Sequence, residues 1–107
     1  MKHKRLKLLH EYHDAQVVSV EYRGEEDVSL GVDLCVGGNP DPPRVHLLFT
    51  GVRNFAEVRT KLEEARAAGK SSIDEISALT RHEERGYCLH LHRSGSLRVD
   101  ARGLLET

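Results

Sequence analysis

The run RVHLLFTGVRNFAEVRTKLEEARAAG, Arg44 to Gly69, restricts the fold of this chain more than any other stretch. It reads as a buried strand, a glycine turn and a helix. Val45, Leu47 and Phe49 recur at a period of two, which puts them on one face of a strand from Arg44 to Thr50. After Gly51 the period changes. Phe55, Val58, Leu62 and Ala65 form one apolar stripe at helical spacing, so a helix is expected over Asn54 to Ala68. Asn54 is placed to cap its first turn, with Glu57 three residues on to complete a capping box. Glu57 and Lys61 are i,i+4 partners in the favourable order. Gly69 is placed to close the helix in a left-handed conformation. The stripe is narrow and half of it is small, so the helix needs a sheet to lie on.

The flanking segments supply that sheet. Gln16 to Arg23 reads as a strand with Val18, Val20 and Tyr22 on one face. Val28 to Val36 alternates most regularly, with Val28, Leu30, Val32, Leu34 and Val36 inward and Ser29, Gly31, Asp33 and Cys35 outward. Gly37 to Pro43, GGNPDPP, is a loop by its glycines and prolines. Beyond the helix, Glu75 to His82 is ambiguous. Ser72 and Glu75 resemble a capping box and Ile73, Ile76 and Leu79 have helical spacing, but the stretch also suits a strand with Ile76, Ala78 and Thr80 on one face. A strand is the reading taken, with Glu83 to Gly86 as its turn. Tyr87 to His92 sets Tyr87, Leu89 and Leu91 against Cys88, His90 and His92. Ser96 to Ala101 faces Leu97, Val99 and Ala101 inward. A three-residue loop, Arg93-Ser94-Gly95, pairs Leu91 with Leu97 and Leu89 with Val99, with Gly95 left-handed. That register sets Asp100 opposite Cys88. The tail, 102–107, offers only Leu104 and Leu105 as anchors. The expected architecture is therefore α+β, with about six mostly antiparallel strands in the order β-β-β-α-β-β-β on one main helix.

A chain of 107 residues is expected to form a single domain over 1–107 with a real core. Residues 1–12 form a basic lead-in, frayed at its start and then extended or turned. Lys+Arg total 16 against 17 Asp+Glu, for a formal net charge of −1. That balance argues against a nucleic-acid binder held by bulk electrostatics, and the absence of tryptophan weakens base stacking as a mode. Leu6, Leu8 and Leu9 are too few for a signal peptide's apolar core, and no run is long enough for a membrane span. The two cysteines, Cys35 and Cys88, lie far apart without a CxxC, so a reduced, cytoplasmic setting is expected.

Three places carry candidate chemistry. Cys88, His90 and His92 project from one face of a strand, about 6–7 Å apart along it. This is the alternative metal set, because zinc takes three or four such ligands. The opposing reading makes Cys88 a small filler and lets the histidines pair with Ser96 and Arg98. His10 and His13 with Asp14 form a second group, in which a carboxylate can orient a histidine; the plainer role for Asp14 is to cap backbone N–H groups. Gly37-Gly38 lacks the Lys and Ser/Thr of a phosphate loop, and nothing basic is placed to activate Cys35. No cofactor and no stoichiometric metal are expected.

The segments His13-Asp14-Ala15-x-Val17, VHLLFTGVRNF over Val45 to Phe55, and YCLHLH with SLRVDA together resemble small bacterial α+β domains that include immunity proteins of polymorphic toxin systems. The resemblance implies a non-catalytic protein that binds and neutralises a toxin, and it supplies no catalytic residues. The function expected is thus a cytoplasmic protein-binding domain, immunity-like in kind. The alternatives are a metal-binding module or metal-dependent enzyme on Cys88, His90 and His92, and an oligomeric structural protein. By alternation, the sheet face away from the helix gathers Asp33, Cys35, His46, Cys88, His90, His92 and Arg98. These include few long, strongly solvated side chains, and such a face is cheap to desolvate. Asp33, His46, His90, His92 and Arg98 are therefore the expected partner-binding residues.

Overall fold

The computed structural model describes residues 3–4, 12–34, 42–69, 72–82 and 86–107. The elements in chain order are β1 (His3–Lys4), β2 (Gln16–Arg23), β3 (Asp27–Asp33), β4 (Arg44–Thr50), α1 (Phe55–Ala68), β5 (Asp74–His82), β6 (Tyr87–Leu91), β7 (Gly95–Val99) and β8 (Gly103–Glu106). Seven strands follow one path, β7-β6-β5-β2-β3-β4-β8, and the two-residue β1 pairs with β5 beside it. Every pairing is antiparallel. The fold is α+β, as the alternation implied, with seven strands rather than six because the tail adds β8 against β4. No described helix is long and apolar enough to cross a membrane.

The core follows from the side-chain period. Val28, Leu30 and Val32 of β3 and Val45, Leu47 and Phe49 of β4 are buried on one face, and Val58, Leu62 and Ala65 of α1 are buried with them. Polar contacts then fix the helix. The Tyr22 hydroxyl donates to Glu63 Oε2 at 2.6 Å, and Arg66 donates to the Val20 carbonyl at 3.1 Å. Tyr22 meets Phe55 edge-on at 5.7 Å between ring centres, and the Arg59 guanidinium lies 5.4 Å over the Tyr22 ring. From the far side, Arg93 donates to the carbonyls of Ala65 and Ile73.

Two bulges correct the predicted faces. In β2, Val17 pairs with Val32 and Ser19 with Gly31, so Val18 is the extra residue. Val17 is buried in its place, while Val20 and Tyr22 pack on the core as expected. In β5, Ile76 pairs with Leu91 and Ala78 with His90, leaving Ser77 extra. One inserted residue inverts the parity beyond it. Ile76 and Leu79 therefore face the core, and Ala78 and Thr80 turn away with His90 and Cys88. The Ser77 hydroxyl donates to the His90 carbonyl across this bulge.

The β6–β7 register is two residues from the one expected. Leu89 pairs with Leu97, Tyr87 with Val99 and Leu91 with Gly95, so Arg98 rather than Asp100 lies opposite Cys88. The shift is even, so the apolar faces still match. The connecting turn is His92-Arg93-Ser94, and Gly95 does take a left-handed φ of 83°. The cause is Asp74, which lies 20 residues away and is almost fully buried. Its carboxylate accepts from the Arg93 N–H at 3.0 Å, the Ser94 N–H at 3.0 Å and the Ser94 hydroxyl at 2.6 Å.

Both helix ends also differ from expectation. Asn54 precedes α1 without a side-chain capping bond. Its amide spans to the sheet instead, donating to the Arg98 carbonyl at 2.9 Å and accepting from the Asp100 N–H at 2.9 Å. Gly69 has φ −77° and is extended, not left-handed. Glycine is needed there because a Cβ would stand 2.2 Å from the Ser72 carbonyl oxygen. In the tail, Leu104 packs on the core, whereas Leu105 is 54% exposed because adjacent strand residues face opposite sides.

Candidate functional site

The register defines the sheet face away from the helix residue by residue. On the β2-β3-β4-β8 half, Glu21, Ser29, Leu48 and Leu105 form one row across four strands. Ser19, Gly31 and His46 form the next. The backbones and side chains here are close, since a Cβ on Gly31 would stand 2.2 Å from Ser19 Oγ and 3.8 Å from His46 Cδ2. Ser29 is buried and Gly31 with it, so short side chains let their neighbours close over them. At the edge, Leu105 is the large hydrophobic residue most open to solvent among the described residues.

On the other half, Thr80, Cys88 and Arg98 make one row and Ala78, His90 and Ser96 another. His90 Nδ1 lies 2.9 Å from the Ser96 hydroxyl, and its Nε2 lies 3.3 Å from the Thr80 hydroxyl. Burial raises the Cys88 thiol above its ordinary pKa, with Arg98 opposing weakly. The thiolate that a metal or an electrophile would need is thus disfavoured.

The five expected partner-binding residues are divided by this topology. His90 and Arg98 lie on β6 and β7; Asp33 and His46 lie on β3 and β4, beyond β5 and β2. Strands β4 and β6 are four places apart, roughly 19 Å measured along the sheet at the usual strand spacing. Asp33 is taken up by Arg44 directly across the ladder, through contacts of 2.6 and 3.1 Å. These hydrogen bonds lower the Asp33 pKa. His92 leaves the His90 face altogether, because it lies in the turn after β6. Cys35, His10 and Gly37-Gly38 lie outside the described residues.

The turn that receives His92 gathers a different set. Asp14 and His13 come from the tight turn before β2, Glu75 from the start of β5, and His92 from the turn after β6. Their backbones are locked to one another. The Asp14 N–H donates to the Ile76 carbonyl at 2.7 Å, the Ile76 N–H to the Ala15 carbonyl at 2.8 Å, and the His92 N–H to the Glu75 carbonyl at 2.9 Å. Asp14 has a φ of 66°, a left-handed conformation that Asp adopts more readily than most residues. Its Oδ1 lies 3.5 Å from His92 Nε2 and its Oδ2 lies 3.5 Å from His13 Nε2. The sequence grouped His13 and Asp14 (with His10) but attached His92 to the wrong neighbours and offered Glu75 only as a capping-box partner of Ser72 at the start of a strand. Positions 14, 75 and 92 have no motif spacing; the ladder that puts β5 between β2 and β6 brings them together. Among the described residues, Asp14, Glu75 and His92 form the group with metal-ligating atoms all within 4.8 Å of one another, and Cys88, His90 and His92 do not form such a group.

No protein-family model, curated protein or solved structure matches this chain.

Proposed function

We propose that this chain is a non-catalytic protein-binding domain, and that its partner is a protein toxin of the kind immunity proteins neutralise. The observation that carries the reading is the outer face of the β2-β3-β4-β8 half. Its rows run through Glu21, Ser29, Leu48 and Leu105 and through Ser19, Gly31 and His46. Short side chains and an exposed leucine give it a weakly polar centre, and the Glu21–Arg23 and Asp33–Arg44 ion pairs give it a charged rim. Among the described residues β8 pairs with β4 alone. An edge of this kind is open to an added strand from a partner, with backbone hydrogen bonds for affinity and Leu105 for a side-chain pocket. The immunity-like character rests on the sequence segments named above. His46 belongs to this surface, whereas His90 and Arg98 form a second patch on β6 and β7.

The test is a titration by calorimetry against a toxin encoded beside this chain. Leu105→Lys and His46→Ala are expected to weaken binding, by about tenfold or more for Leu105→Lys if it lies at the centre of the contact. His90→Ala and Arg98→Ala report on the other patch. Wild-type affinity in Leu105→Lys and His46→Ala would reject the β4–β8 face as the docking surface.

A further inference from the structure

We propose that Asp14, Glu75 and His92 form a binding site for a divalent transition-metal ion, with zinc the best-suited probe, and that His13 supports it. The cluster lies on the rim of the sheet, apart from the β4–β8 face, and it differs from the Cys88-containing set that the sequence suggested.

The donor set is mixed, one imidazole with two carboxylates. Imidazole nitrogen favours zinc and its neighbours in the first transition row over magnesium or calcium. At metal–ligand distances of about 2.1 Å, tetrahedral ligand atoms lie about 3.4 Å apart. Asp14 Oδ1 and His92 Nε2 are already 3.5 Å apart, and all three donors fall within 4.8 Å of one another. Asp14 and His92 are each about half exposed, so small rotations of these side chains can close the remaining gap. The main chain needs no rearrangement, because hydrogen bonds among Asp14, Ala15, Glu75, Ile76 and His92 already hold the three positions.

A second observation is the placement of His13. A carbonyl only accepts, so His13 Nδ1 donates to the Ser77 carbonyl oxygen at 3.0 Å, which holds the ring with Nε2 3.5 Å from Asp14 Oδ2. An imidazole nitrogen thus stands beside each carboxylate oxygen of Asp14, His13 at Oδ2 and His92 at Oδ1. An N–H donated to a backbone carbonyl is the usual way in which a histidine near a metal is oriented.

The experiment uses the untagged full chain. Calorimetric titration with zinc chloride at neutral pH is expected to show one saturable site, and zinc to raise the melting temperature by mass action. Magnesium chloride is expected to bind far more weakly. Asp14→Asn, Glu75→Gln and His92→Ala should each lower zinc affinity by about tenfold or more, and His13→Ala by a smaller factor. Asn is chosen at position 14 because it tolerates the left-handed backbone. Circular dichroism of each variant confirms that the fold is retained. His90→Ala, on the other patch, should titrate like the parent. Absence of a saturable zinc site, or zinc binding that survives the three ligand substitutions, overturns the proposal. So does binding lost with His90→Ala instead, or magnesium binding as tight as zinc.

Discussion

Asp74 shows how one residue can set a register. Burial by itself would raise its pKa, but the Ser94 hydroxyl and the N–H groups of Arg93, Glu75 and Ser94 together hold it below its ordinary value of 3.8. All four bonds favour the carboxylate. A depressed folded-state pKa contributes stability that is complete above the unfolded value and is lost as pH falls through the folded one. Asp74→Asn places an NH2 group where an oxygen accepted, and it should cost about 2 kcal/mol at pH 7. Urea denaturation of both proteins at pH 7 and at progressively lower pH checks this. The gap between their midpoints should be widest at pH 7 and should narrow below pH 3.8. A gap that is constant with pH would mean that the charge of Asp74 does not hold the turn.

At the scale of elements, α1 owes little to its own ends and much to the sheet. Asn54 spends its amide on β7 and its flank rather than on the first turn of the helix. Helical stability of this kind comes mainly from burial of one face. Leu62 and Leu30 are among the most deeply buried side chains, at 2% and 1% exposure. Leu62→Ala and Leu30→Ala should each cost about 2–5 kcal/mol, read from chemical denaturation midpoints. Unchanged midpoints in both would remove the helix–sheet contact as the main support of α1. The period of two predicted β4 residue for residue, because both strand ends are marked by the change of pattern at Arg44 and Gly51. It failed in β5 at Ser77, where a bulge reversed the faces, and a period carries no sign of an inserted residue.

At the scale of the molecule, the ladder between the β7-β6-β5 half and the β2-β3-β4-β8 half is short among the described residues, pairing Gln16 with Glu75 and Val17 with Asp74. What unites them is the core. Buried side chains from β2, β3, β4, α1, β5, β6 and β7 form one cluster, and Phe49 of β4 meets Tyr87 of β6 edge-on at 5.8 Å. A shared core makes unfolding all-or-none. Thermal transitions followed by far-ultraviolet circular dichroism and by near-ultraviolet tyrosine signals should therefore coincide. Two separated transitions would show that the halves fold independently.

Alternation and the change of period at Gly51 were enough to determine the fold class, the helix and most of the buried faces, because both are local consequences of backbone geometry. The β8 strand was not legible, since Gly103 to Glu106 is too short to display a period and exists as a strand only because β4 offers it an edge. The β6–β7 register was decided by a carboxylate 20 residues away. The grouping of Asp14, Glu75 and His92 was decided by the order β6-β5-β2, which a linear spacing does not contain. Contacts between residues far apart in the chain depend on which strands become neighbours, and that depends on burying the whole core at once.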